Sequence, residues 1–127
     1  MTRLFLQMGA ISATLAVAAG AFGAHALRAK LEPRQLEVFE TAARYQMYHA
    51  LALLVVAWVA SRTLVGATGA VQASGWLFVA GTLLFSGSLY AMTFTGIRAL
   101  GAITPIGGVC FIAGWIALAV AAARLDV

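Results

Sequence analysis

Residues 63–97 read TLVGATGAVQASGWLFVAGTLLFSGSLYAMTFTGI, 35 consecutive positions without a charged side chain. A helix crosses the hydrocarbon core of a bilayer with about 20 apolar residues, so this run is too long for one span. The cluster Gly66-Ala67-Thr68-Gly69 punctuates it near its start. That leaves a span over 70–94, closed by the turn Thr95-Gly96-Ile97-Arg98. To either side, the charge-free runs 4–27, 45–61 and 99–123 are each about the length of one crossing. No ten-residue segments of alternating polarity suggest a barrel. The expected fold is all-α: an integral membrane four-helix bundle, a single membrane domain over 1–127.

Composition leads to the same class. AVILMFWYC residues make up 63% of the 127 positions and charged residues 9%, with a mean hydropathy of +0.97. Soluble domains carry roughly 25% charged residues, so the chain is not a soluble enzyme, a disordered segment or a nucleic-acid-binding module. The net charge of +4 comes from Arg3, Arg28, Lys30, Arg34, Arg44, Arg62, Arg98 and Arg124 against four acidic residues. These cations flank the apolar runs, which suits lipid headgroups as partners rather than nucleic acid. The single cysteine, Cys110, excludes an intrachain disulfide. Met1-Thr2-Arg3, the apolar stretch and Ala24-His25-Ala26 resemble a secretory signal. The run is longer than a typical signal core, so it reads as a retained first helix.

The polar stretch 28–44 joins the first two spans. Pro33 suits a first helical position. Leu36, Phe39 and Ala43 share one helical face, while Glu37, Glu40 and Arg44 share another, with Glu40 and Arg44 spaced for an i,i+4 pair. This predicts a short amphipathic helix, lying on the membrane or running straight into the second span. The side holding 28–44 and 95–98 carries more Lys and Arg than the side holding both termini. The positive-inside rule therefore places it in the cytoplasm.

Apolar burial cannot drive helix association in lipid, whereas close contact through small residues can. The first span carries Ser12, Ala16, Gly20 and Ala24 at strict four-residue spacing, and the fourth carries Gly107 and Gly114 within a run of small residues. These are the expected packing positions, serving the monomer, a homo-oligomer or a larger membrane complex. Four polar clusters interrupt the spans: GAFGAHAL (20–27), YQMYHALALL (45–54), LFSGSLY (84–90) and the start of TPIGGVCFIAGW (104–115). On a four-span topology all fall in one leaflet, opposite a half that is nearly pure Ala, Val, Leu and Ile. His25 and His49 then differ in depth by only about 3 Å. His25, His49, Tyr45, Ser86, Ser88, Tyr90 and Thr104 form the candidate polar cluster.

Each of these residues also has a plain reading: histidine as an interhelical hydrogen-bond partner, tyrosine in an interfacial belt, serine as polar glue. No Asp, Glu, Lys or Arg lies deep in a span, unlike the pathway of an ion-coupled pump. There is no nucleophile–base set, no metalloprotease histidine pair and no phosphate loop. Zinc needs four ligands, and with His25 and His49 only Cys110, near the midplane, offers a third. No metal, no cofactor and no catalysis are expected.

The four clusters, in order over about residues 5–124, resemble the bacterial domain-of-unknown-function family 423. That family is similar to a eukaryotic transmembrane protein usually numbered 256. The resemblance implies four helices, retention of the first run and a multi-pass protein of the cytoplasmic (inner) membrane. It implies no activity. The expected function is a non-catalytic scaffold or accessory protein that self-associates. The alternative is binding or transport of a lipid, quinone or small solute through a polar pocket in one leaflet.

Overall fold

The computed structural model describes residues 1–63 and 68–125. The chain is all-helical across them, with no strand among the described residues. Helix α1 (Thr2–Phe22) continues into a π-helical turn, Gly23–Leu27, and α2 covers Pro33–Arg62. Helix α3 (Thr68–Gly81) continues through a second π turn, Thr82–Ser86, into α4 (Gly87–Thr95). A 3₁₀ turn, Arg98–Ala102, leads into α5 (Thr104–Ala122). Of the expected turn at Gly66–Gly69, Gly66 and Ala67 lie outside the described residues.

Of the two arrangements expected for the segment 28–44, the structure has the second, a helix that runs straight into the second apolar run. Residues 28–32 form a turn, and from Pro33 the helix is unbroken, so α2 is 30 residues long. Pro33 opens it, and Glu32 caps it in a reciprocal box in which the Glu32 backbone N–H donates to Gln35 Oε1 at 3.2 Å. The anticipated Glu40–Arg44 pair is not formed. Among the described residues the ion pair is Arg34 to Glu37, 3.9 Å apart and solvent-exposed. At the other hairpin, Gly96 takes φ +70°, open to glycine without strain, and its N–H donates to the Met92 carbonyl at 2.9 Å.

Among the described residues, three helical segments are long and apolar enough to cross a membrane: Thr2–Leu27, Gly69–Thr95 and Arg98–Ala122. The expectation of four such spans is corrected, because α2 does not qualify. Charges occupy its first turns, and Gln46 and His49 follow. Those two side chains are buried inside the bundle, where a polar group is tolerated if it finds partners. Helix α2 is the central rod, packed against α1, α3 and α4, while α5 leans on α3 and the second π turn. The core gathers Phe5, Leu53, Val56, Val71, Phe78, Phe111 and Leu118.

Glycines set how closely these rods approach. A Cβ on Gly9 would stand 2.8 Å from Leu54 and 2.9 Å from the Ala50 carbonyl, and one on Gly23 would stand 2.9 Å from the Phe39 ring. On α5, Gly114 lies against the Phe78 ring, and Gly107 lies directly on the backbone of Phe85. The four-residue ladder of α1 is only partly used. Ala16 is buried, and Ser12 meets Gln46, but Gly20 and Ala24 are exposed, with nothing within 4 Å of where a Gly20 Cβ would stand. A helix turns every 3.6 residues, so strict steps of four drift about 40° per step around it. The buried positions instead follow Phe5, Gly9, Ala16, Gly23 and Leu27.

Candidate functional site

The contacts along α1 and α2 fix their register. Gly23 faces Phe39, and Gly9 faces Ala50 and Leu53. His25 is therefore level with about residue 37 of α2, and His49 lies twelve residues further on, roughly 18 Å at 1.5 Å per residue. The expected histidine pair is not formed. The sequence reading aligned the end of the first span with Tyr45, whereas α2 begins at Pro33 and shifts the register. His25 is exposed on the first π turn and has no hydrogen bond or ring contact to the other candidates among the described residues.

The other six candidates enter one hydrogen-bonded and aromatic seam. Ser86 Oγ donates to the Ala42 carbonyl at 2.8 Å, joining the second π turn to α2. Tyr90 Oη donates to Gln46 Oε1 at 2.7 Å, and Gln46 Nε2 donates to the Ser12 carbonyl at 3.1 Å. This chain links α4, α2 and α1. Ser88 Oγ and Thr104 Oγ1 are 2.6 Å apart, linking α4 to α5. Tyr45 lies 4.6 Å from Phe85 between ring centroids, while its outer edge stays 38% exposed.

His49 is buried within this seam, 4% exposed. Its Nδ1 is 2.7 Å from the Tyr45 carbonyl, and its Nε2 is 3.2 Å from Trp115 Nε1. A carbonyl only accepts and an indole N–H only donates, so the neutral ring with its proton on Nδ1 satisfies both contacts. The imidazole lies flat on Phe111, with centroids 3.4 Å apart and planes 5° apart. Phe78 packs edge-on against Trp115 beside it.

The π turn at Thr82–Ser86 explains how one helix supplies both halves of this seam. A π turn inserts one residue into the α-helical repeat. Before it, Val71, Ser74 and Phe78 are buried, and from its last residue onwards Ser86, Leu89 and Thr93 are.

The polar groups are not confined to one leaflet. The seam runs along α5 from Thr104 to Trp115, about 17 Å of rise. Ser74 Oγ donates to the Gly114 carbonyl at 2.9 Å in the half expected to be apolar. Gln46, Phe111 and Trp115 lie within the quoted motifs but were not among the candidates. A glutamine amide inside an apolar run was the available signal, since it requires partners wherever lipid surrounds it. Among the described residues, no three His, Cys, Asp or Glu side chains converge to hold a metal.

Residues 19–108 match the family described as "Protein of unknown function (DUF423)". The chain is 51% identical to the UPF0382 membrane protein YwdK of Bacillus subtilis over 96% of this chain and 98% of the relative. It is 50% identical to the UPF0382 membrane protein SAB0533 of Staphylococcus aureus over 94% of each, and 47% identical to SERP0230 of Staphylococcus epidermidis, also over 94% of each. No solved structure matches the chain.

Proposed function

The chain belongs to the DUF423 family of membrane proteins, and within it we propose a non-catalytic accessory or scaffold protein of the cytoplasmic (inner) membrane that self-associates. The supporting observation is that the candidate polar side chains, His25 apart, are held by partners inside the bundle. Both ring nitrogens of His49 are occupied by structural partners, and Ser86, Ser88, Tyr90, Gln46 and Thr104 are paired across helices. A general base needs a free lone pair within reach of a proton, and His49 offers none. This chemistry defines a bundle rather than a reaction centre.

Self-association is supported by the small residues the monomer leaves outside. Gly20 and Ala24 face outward from α1, beside a groove of about 380 Å³ bordered by Ala16, Ala43 and Met47, with Glu40 and Arg44 at its rim. Outward small residues on a membrane helix permit close approach of another helix. Lipids partner the remaining surface, including Ile106, Val109, Ile112 and Ile116 of α5.

Oxidative cross-linking in native membranes tests this, with Ala24→Cys and Val109→Cys compared in a Cys110→Ser background. The expected result is a covalent dimer through position 24 and none through position 109. Equal cross-linking at both sites, or a monomer in both, would remove the reading.

A further inference from the structure

Helix α2 turns one face out of the bundle. Glu40, Arg44, Tyr48, Leu51 and Val55 recur along it at helical spacing, and all five are exposed. The apolar end of this face suits lipid. The other end does not, because Glu40 and Arg44 stand there with no ion-pair partner among the described residues. The groove of about 380 Å³ beside them is completed by Ala16 and Gly20 of α1.

Depth sets these two charges apart from the rest. The register in which Gly23 faces Phe39 puts Glu40 level with about residue 22 of α1, and Arg44 level with about residue 18. The crossing Thr2–Leu27 has 26 residues, about 39 Å of rise against a hydrocarbon core of about 30 Å. Centred on that core, it leaves about 4 Å outside at each end. The Arg44 backbone is then about 9 Å inside the hydrocarbon, and that of Glu40 about 3 Å. Charged side chains at such depth are costly, and they turn inwards or pair with one another. Lipid phosphates stay above the hydrocarbon, and the acidic Glu40 stands between them and Arg44.

On the basis of the self-association proposed above, we propose further that a second copy of this chain covers the face through two reciprocal ion pairs, Glu40 of each copy to Arg44 of the other. The face is self-complementary, with one acid and one base a single turn apart on one stripe. Copies inserted in the same orientation are related by a two-fold axis along the membrane normal, which sets equal residues at equal depth. The Cβ of a helical residue tilts towards the helix N-terminus, and a long cationic side chain in a membrane extends towards the nearer surface. Both effects raise the Arg44 guanidinium by about one turn, to the height of Glu40 across the axis. Gly20, with nothing within 4 Å of where its Cβ would stand, allows the copies to approach closely. Each pair then removes one acid and one base from contact with lipid.

The test is disulfide cross-linking through Ala24→Cys in native membranes, in a Cys110→Ser background, between copies that carry two different tags. The charge variants are Glu40→Arg and Arg44→Glu. The parent is expected to give a covalent dimer, and either variant expressed alone to lose at least tenfold in yield. Expressing Glu40→Arg copies together with Arg44→Glu copies is expected to restore the yield, in a product that carries both tags. The mixture rebuilds both pairs between chains and neither within one, and its recovery shows that each variant folds. Glu40→Gln keeps the shape and removes the charge. It is expected to weaken association at least tenfold, read by Förster transfer between labelled copies as liposomes are diluted with lipid. Undiminished cross-linking of both single variants overturns the pairing while self-association stands. So does an unweakened Glu40→Gln, or a mixture that fails to recover. A parent without any covalent dimer removes self-association and the pairing together. Cross-linking of position 24 to a different membrane protein would make that protein the occupant and overturn the proposal.

Discussion

Replacing Gly107 with alanine isolates the helix contact on which the second half of the bundle depends. A Cβ there would stand 2.8 Å from both Cα and Cβ of Phe85, and closer still to its backbone nitrogen. Ordinary carbon contacts lie at about 3.5–4.0 Å, and backbone cannot rotate aside as a side chain can. Relief requires α5 and the second π turn to separate by about 1 Å, which forfeits between a quarter and a half of the dispersion energy along that seam. The loss extends to the neighbouring contacts of Gly81 with Phe111 and Gly114 with Phe78. The expected destabilisation is about 3 kcal/mol, at the upper end for overpacking. The internal control is Gly20→Ala, where nothing lies within 4 Å. It replaces a poor helix former with a good one, so monomer stability is unchanged or rises by up to about 1 kcal/mol. Reversible unfolding in detergent micelles, or steric trapping in bicelles, reads both values. A Gly107→Ala cost below about 0.5 kcal/mol, or a Gly20→Ala cost equal to it, would refute the packing argument.

The two histidines separate in the same assay. His49→Ala removes a buried stacked ring and costs about 3 kcal/mol, whereas His25→Ala stays within about 0.5 kcal/mol of the parent; near-equal costs would place both in one site. Trp115→Phe deletes the indole donor and costs about 1–2 kcal/mol. In it the ¹⁵N resonance of His49 Nε2 shifts towards that of a nitrogen without a hydrogen bond, and an unmoved resonance would deny the contact. Glu32→Ala removes the cap of α2 at a cost of about 1 kcal/mol, seen as faster amide exchange confined to its first turn; unchanged exchange would show that the cap contributes nothing.

The helical class was readable because charge placement alone limits where a chain can enter lipid: Arg28, Arg62, Arg98 and Arg124 bound the apolar runs. Pro33 marked the start of α2, and Gly96 the end of α4. The run of α2 through 28–44 was not decided by its pattern, because an amphipathic segment can lie flat or continue, and tertiary contacts choose. The depth of His49 depended on that choice. Lateral phase was also hidden. The π turns at Gly23–Leu27 and Thr82–Ser86 are stabilised by what the helices pack against, so no residue-level signal marks them. Gly20 and Gly23 look alike in sequence, yet one is bare and the other touches Phe39.

The account rests on the motif side chains holding the helices to one another, and the Tyr90–Gln46 bond that ties α4 to α2 is its most exposed element. A double-mutant cycle of Tyr90→Phe and Gln46→Leu, measured as unfolding free energy in bicelles, tests it most directly. The account predicts a coupling of about 1 kcal/mol, in the upper part of the range for hydrogen bonds between membrane helices. Additive effects, with no measurable coupling, would contradict it.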